Sequence, residues 1–344
     1  MKVRRILFIL IAVVLLVGVI GCATPKETAK DPTQETPTQE TPTQEAPKKI
    51  VDVNIGTGPS GGVYHSIGIL FAEVINKELS NFRSHAEPSG AGTDNTKRMT
   101  LGEFDIGLSL SANVMWGAKG IGPFQEVQPV SLLATGHTMP WVLLVRADSN
   151  INSWADLKGA KIAGPPQQAV SGWELIDTSL EYYNLSKDDL KQIPPTSNLG
   201  DAVDLIRAGD LDGTIWPTPA RGVAPFIDLA ATTELRWLGM EDDLIKHVLE
   251  VYPFMQKVTV PAGTNDGQKE SFTAVAEIMQ VMIHNDIDEE TAYTLTKTLC
   301  ENFNLIENIM YSGREWTLEQ AVSSKNWAPY HPGSIKYYQE VGVW

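Results

Sequence analysis

The groups in this chain best placed for chemistry are hydroxyls and backbone amides around a glycine-rich turn. Gly56-Thr57-Gly58-Pro59-Ser60-Gly61-Gly62 follows the alternating run Val51-Asp52-Val53-Asn54-Ile55 and precedes a helix-periodic run from Tyr64 to Asn76. A glycine turn at a helix start lets N–H groups converge where the helix dipole favours an anion. Thr57 and Ser60 offer hydroxyls there, Gly61 and Gly62 offer backbone donors, and Tyr64 offers a phenol. Gly56, Gly58 and Gly61 also spell G-x-G-x-x-G. A dinucleotide site would need a placed acidic residue about 20 residues on, and Glu78 has that spacing only from beyond the helix. A Walker A loop would need Gly-Lys-Ser/Thr, which is missing. A plain tight corner is the other reading of these glycines.

Covalent and metal chemistry find little support. The chain has no G-x-S-x-G, S-x-x-K, H-E-x-x-H or C-x-x-C pattern, and holds only 6 His and 2 Cys in 344 residues. Cys300 lies in the apolar helical spacing Ala292, Leu295, Leu299 and Phe303, as expected of a buried, inert thiol. Met279, Met282 and Ile278 read as helix-core spacing. No catalytic residue, metal or cofactor is expected.

The elements that must position the glycine loop alternate strand and helix. Strands are predicted near Ser84–Pro88, Phe104–Leu110, Val130–Ala134, Trp141–Arg146, Lys161–Ala163 and Thr214–Trp216. Helices are predicted at Trp173–Tyr183 and Asp201–Ala208, and beyond Phe254–Val260 the chain reads as mostly helical. Such alternation implies mostly parallel sheets, with ligands at the C-terminal ends of the strands.

The N-terminus reads as an export address. Lys2, Arg4 and Arg5 precede an apolar run from Ile6 to Ile20 and then Gly21-Cys22, so residues 1–21 read as a secretory signal. The run is short for a membrane span. Gly21-Cys22 resembles a bacterial lipobox, which makes Cys22 the lipidation site and the membrane contact. Residues 22–48 repeat Pro-Thr-Gln-Glu and lack core-forming side chains, so they read as a disordered tether. Extended, it would reach roughly 70–80 Å. The formal charge of −15 leaves no basic patch for nucleic acid.

Ordered segments of the remainder resemble the TAXI family, the extracytoplasmic solute receptors of TRAP-type transporters. They are Gly58-Pro59-Ser60-Gly61-Gly62-Val63-Tyr64, Gly102-Glu103-Phe104-Asp105-Ile106-Gly107, Ser153-Trp154-Ala155-Asp156-Leu157-Lys158-Gly159, Val260-Pro261-Ala262-Gly263-Thr264 and Ala328-Pro329-Tyr330-His331-Pro332-Gly333. The resemblance implies an α/β, two-lobed periplasmic-binding-protein fold of type II, with a mostly parallel sheet in each lobe and ligand in the cleft between them. Lobe I would be residues 49–140 plus 238–344, and lobe II residues 141–237.

It also implies the cleft residues. In lobe I they are Thr57, Ser60, Gly61, Gly62 and Tyr64, with Asn95 either bonding ligand or capping a helix, and Ser109 and Ser111 at a strand end. In lobe II, Gln167, Gln168 and Ser171 stand where relatives carry a small-residue loop. There Trp216 would cover an apolar part of the ligand or sit in the core. Thr218 stands beside it, and Arg221 is a candidate carboxylate contact. The implied function is a monomeric receptor that captures a small organic anion, a carboxylate with an amino-acid-like or apolar body, and delivers it to a TRAP-type permease. The alternatives are a receptor of an ABC importer and a ligand-sensing partner of a membrane signalling protein.

Overall fold

Strand alternation builds two sheets that share one long strand. The computed structural model describes residues 49–60, 62–167, 169–196, 198–219, 221 and 223–344. The expected signal, lipidation site Cys22 and tether therefore lie outside the described residues, as do Gly61 and Gln168. Lys48–Trp344 forms a compact unit of its own.

In chain order the elements begin with β1 (Val51–Gly56), α1 (Val63–Glu78), β2 (Phe82–Glu87), α2 (Gly92–Thr100), β3 (Ile106–Leu110) and α3 (Ser111–Lys119). The long strand β4 (Val130–Arg146) follows, then β5 (Ile162–Ala163), α4 (Val170–Tyr182), α5 (Leu199–Ala208), β6 (Gly213–Pro217), α6 (Ala224–Ala230) and β7 (Leu235–Leu238). The chain closes with α7 (Asp242–Val251), β8 (Gln256–Val260), β9 (Phe272–His284), α8 (Glu289–Cys300), α9 (Leu318–Ala321) and α10 (Pro332–Glu340).

The first sheet runs β2-β1-β3-β9-β4, with β8 added to β9. β1 is parallel to β2 and β3, whereas β9 is antiparallel to β3, β4 and β8. The second sheet uses the C-terminal half of β4, antiparallel to β6 and β7, with β5 parallel to β6. Both sheets are therefore mixed, against the expected mostly parallel order. The reason is that β4 and β9 return against the βαβ units and pair with each other over most of their length.

β4 passes from one sheet to the other at Pro140–Trp141. Residues up to Pro140 pair with β9, and residues from Trp141 pair with β6. The two strands expected at Val130–Ala134 and Trp141–Arg146 are thus one, carried through register shifts between Leu132 and Ala134 and between Thr135 and Thr138.

The mostly helical reading beyond Val260 fails at β9. Phe272–His284 is a strand, and nearly every residue in it is buried. A strand covered on both faces loses its polar alternation, so Ile278, Met279 and Met282 imitate helix-core spacing.

Three apolar clusters fill the molecule. One gathers Ile55, Ile67, Phe71, Ile106, Met282, Leu295 and Tyr338 around the first sheet. Trp141, Leu143 and Val145 enter a second cluster, while Val142 and Leu144 enter a third. That period of two puts the last two clusters on opposite faces of the second sheet. Each buried Phe, Leu or Ile contributes about 1.5–3 kcal/mol relative to exposure.

Leu244, Ile245 and Val248 of α7 join Trp141, Trp154 and Leu175 in the second cluster. Residues of Asp242–Val275, expected in lobe I, therefore pack on the second sheet. Within β9 the neighbouring strand changes from β8 at Phe272–Ala276 to β3 at Met279–Ile283, both in the first sheet.

Candidate functional site

Three helices start around one carboxylate on β9, near the point where β4 passes from one sheet to the other, and the second residue of each contacts that carboxylate or feels its charge. These residues are Tyr64 of α1, Ala112 of α3 and Ser171 of α4. The carboxylate belongs to Glu277, on β9, which has no exposed surface. The Ala112 N–H donates to Glu277 Oε2 at 3.1 Å, and Trp141 Nε1–H donates to Oε1 at 3.3 Å. The Ser171 hydroxyl lies close enough to favour the charged form of the carboxylate. Burial raises the Glu277 pKa above its ordinary value of 4.5; the Ala112 N–H, Ser171 and Trp141 oppose that rise, and the charge of Glu174 adds to it.

Tyr64 completes the ring. Its hydroxyl donates to the Ser109 carbonyl at 3.4 Å. Burial pushes the phenol pKa well above 10.0, and the negative charge of Glu277 pushes it further. Ser111 opens α3, and its Oγ accepts the Ile278 N–H at 3.3 Å, tying that helix start to β9 beside Glu277. Of the expected site residues, Tyr64, Ser109, Ser111 and Ser171 are thereby brought together.

The glycine loop is more structural than its hydroxyls suggested. Thr57 is fully buried; its Oγ1 donates to the Glu87 carbonyl at 2.8 Å and meets His65 Nδ1 at 3.1 Å. Ser60 is exposed. Gly62 is the N-cap residue of α1, its N–H bonded to the Pro59 carbonyl and its own carbonyl accepting from Ser66 N–H. The N–H groups of Val63, Tyr64 and His65 precede that first helical bond and are the turn's donors. Gly56 answers a close approach, because a Cβ there would lie 2.2 Å from the Phe104 ring.

Asn95, for which ligand contact and helix capping were both open, lies inside α2, whose N-cap is Ala91, and spends its amide on the fold. Its buried Nδ2 donates to the carbonyls of Gly56, Thr57 and Leu108 at 3.0, 2.7 and 2.7 Å. Its Oδ1 accepts from Ser89 Oγ at 2.6 Å. The amide ties together the ends of β1 and β3 and the loop before α2.

In the second sheet's loops the expected residues scatter. Gln167 is exposed. Trp216 is partly buried and packs against the cluster of Val142 and Leu144. Thr218 is buried, with its N–H on the Pro140 carbonyl at 2.9 Å. Arg221 is exposed at φ 67°, and its guanidinium lies 4.5 Å from the centre of the Tyr311 ring rather than near Glu277's partners.

Glu277 and Trp141 are the site residues that sequence reasoning missed. The signal was present: one glutamate inside the apolar run Ala274-Val275-Ala276-Glu277-Ile278-Met279. It went unused because that run was read as helix. Elsewhere, His137 is a core histidine: it accepts Trp316 Nε1–H at 3.1 Å, and burial lowers its pKa to about 3. No group of three or more His, Cys, Asp or Glu among the described residues could hold a metal ion. A surface depression lined by Asp242, Ile245, Lys246, Leu249, Glu250 and Lys257 lies on α7 and β8, away from Glu277.

Two mixed sheets flanked by helices and joined through the shared strand β4 define a two-lobed α/β fold. The chain belongs to the NMT1-like family, which matches residues 55–342. It is similar to the periplasmic aliphatic sulphonate-binding protein SsuA of Escherichia coli, at 18% identity over 86% of this chain and 79% of that one, with a TM-score of 0.48. It is also similar to a structure concerning glutathione import via GshT and the cystine ABC importer TcyBC of Streptococcus mutans, at 15% identity, 83% and 99% coverage and a TM-score of 0.47. The third is PhnD1 of Prochlorococcus marinus in complex with methylphosphonate, at 11% identity, 84% and 95% coverage and a TM-score of 0.46.

Proposed function

We propose that this chain is an extracytoplasmic receptor that captures a small polar organic solute with an anionic group and hands it, chemically unchanged, to a membrane importer. The observation that supports this reading is that α3, through the Ala112 N–H, and the strand shared by the two sheets, through Trp141 Nε1–H, meet at Glu277 in the middle of β9, with the starts of α1 and α4 near enough to feel or shift its charge. Closing the lobes on a solute there would bury it and change the surface offered to the importer. The amides of Val63, Tyr64 and His65 are the proposed seat for the anionic group, with Ser60 at its rim. Lobe II is proposed to run from Trp141 to about Ala276, and lobe I to hold the rest.

An ABC importer is the first partner reading, the type named for one of the similar solved receptors. A TRAP-type permease is the second, supported by the ordered TAXI-like segments of the sequence. No helix among the described residues is long and apolar enough to cross a membrane. The proposed anchor is lipid on Cys22.

Thermal unfolding of Lys48–Trp344, first unfolded and refolded to strip copurified solute, tests the reading against carboxylates, sulfonates, phosphonates, amino acids and neutral sugars. A ligand at 100 times its Kd should add about 2.7 kcal/mol of stability. No shift across the panel would count against a receptor for such solutes. Pull-down of an ABC ATPase complex or of a multi-span permease with the loaded full chain separates the two partners.

A further inference from the structure

Two segments grip β4 at the point where it leaves the first sheet for the second. Glu315 Oε2 accepts the Thr138 N–H at 2.8 Å and the Thr138 hydroxyl at 2.9 Å. Two residues on, the Pro140 carbonyl accepts the Thr218 N–H at 2.9 Å. The segment before Glu315 is seated on the first sheet: Met310 packs on its cluster, Ser312 and Gly313 are buried, and Trp316 belongs to that cluster. The segment around Thr218 is seated on the second, where Trp216 and Val223 pack on the cluster of Val142 and Leu144. The two segments meet off the strand, with the Arg221 guanidinium 4.5 Å from the centre of the Tyr311 ring.

The ring is presented by its own segment. Arg314 lies 4.8 Å from its centre and is itself 3.6 Å from Glu307, and a Cβ on Gly313 would lie 2.4 Å from Glu307 N. Arg221 forms no ion pair among the described residues and holds φ 67°, left-handed backbone that L residues rarely adopt. We infer that Arg221 and Tyr311 brace the β4 passage, holding the two sheets at one angle by a contact outside the strand they share. Apolar packing also crosses the passage, where Met115 and Trp116 of α3 join Trp141 in the second cluster. Such packing is non-directional, whereas a guanidinium favours one place, over the face of the ring. At an exposed site the contact is worth roughly two- to fivefold in an equilibrium constant, so the brace biases the angle and does not lock it. Under the receptor reading it would set how readily the cleft opens, but the inference stands without that reading.

The test reads the distance between the sheets directly. Stripped Lys48–Trp344 carries spin labels at Lys77→Cys on α1 and Asp204→Cys on α5, two exposed positions over the first and second sheets. Labelling under native conditions leaves buried Cys300 unmodified. Pulsed electron resonance is recorded for this parent, Tyr311→Leu, Tyr311→Phe, Arg221→Gly and the double variant Tyr311→Leu/Arg221→Gly. Glycine removes the guanidinium while suiting the φ 67° backbone, so a fault in the loop itself is not mistaken for loss of the brace. The fraction of molecules outside the main distance should rise roughly two- to fivefold in Tyr311→Leu and Arg221→Gly alike. The double variant should rise no further, and Tyr311→Phe, which keeps the ring, should match the parent. An unchanged distribution in either single variant overturns the inference, and so do additive changes in the double variant. A change in Tyr311→Phe equal to that in Tyr311→Leu overturns it too. Should Tyr311→Leu fail to fold, Arg221→Gly compared with the parent decides the matter.

Discussion

Trp141 donates its indole N–H to Glu277 at 3.3 Å, from β4, the strand that passes between the sheets, to β9, its antiparallel partner in the first sheet. The bond therefore ties the strand shared by the two sheets to its partner in the first sheet. Trp141→Phe keeps most of the buried ring and removes the donor. The expected cost is about 1–3 kcal/mol, the range for leaving a buried polar group short of a partner. Urea unfolding checks this; a change under a few tenths of a kcal/mol would mean the indole contributes only packing.

Stability should carry a pH signature from Glu277. Its folded pKa is raised above 4.5, with burial as the main cause. The folded state therefore holds its proton more tightly than the unfolded chain. The favourable contribution is complete below about pH 4.5 and is lost as pH rises toward the folded value. The slope is limited to about 1.4 kcal/mol per pH unit for one proton. Glu277→Gln lacks this term, so its stability relative to wild type should rise with pH above 4.5 and be flat below. A flat difference between pH 4 and 8 would show that Glu277 titrates alike in both states.

Asn95 should be worth more to the fold than a surface asparagine. Asn95→Ala leaves the carbonyls of Gly56, Thr57 and Leu108 without their shared donor and Ser89 without its acceptor. The expected loss is about 2–3 kcal/mol. It should come with faster amide exchange at the ends of β1 and β3, read by hydrogen–deuterium exchange. Ligand affinity falling with exchange unchanged would instead indicate direct contact with the solute.

Much of the first lobe was legible because its βαβ units obey short-range rules. The run Val51–Ile55, the glycine turn and the Tyr64–Asn76 periodicity mark β1 and α1 through alternation, turn chemistry and a 3.6-residue repeat. The site was less legible because Glu277 and Trp141 gain their meaning from pairing across more than 130 positions in the chain, and β9 is covered on both faces. Hydroxyl-bearing loop residues drew attention for their chemistry, yet Thr57 is spent on Glu87 and His65. Arg221 drew attention for its charge beside Thr218, but Tyr311, against which it stacks, arrives from a segment that no local pattern connects to it.

Cys300 should be silent in the folded protein. It is buried, its Sγ lies 3.5 Å from the Tyr338 hydroxyl, and burial pushes its pKa up to about 12. Only the thiolate attacks a disulfide reagent. Native Lys48–Trp344 at pH 8 should leave Ellman's reagent unreacted over minutes, then release one equivalent of colour on denaturation. Prompt native reaction would place the thiol at an accessible surface and remove it from the α8–α10 packing.

Gly172 couples the second lobe's helix start to the passage strand. A Cβ at this position would lie 2.3 Å from the outer edge of the Trp141 ring and 3.0 Å from Pro165. Trp141 is itself buried among Leu143, Leu175 and Ile215, so the ring has no free direction in which to yield. Gly172→Ala must therefore move either the indole or the first turn of α4, and overpacking of this kind costs typically about 1–3 kcal/mol. Either movement pulls on Glu277, through Trp141 Nε1 or through Ser171. The expected result is a lower melting temperature together with weaker ligand binding. Gly200→Ala, where the nearest atom is the Asn198 side-chain oxygen at 3.0 Å near the exposed start of α5, should leave binding unchanged. Equal effects of the two substitutions on affinity would show that Trp141 does not transmit the strain to the site.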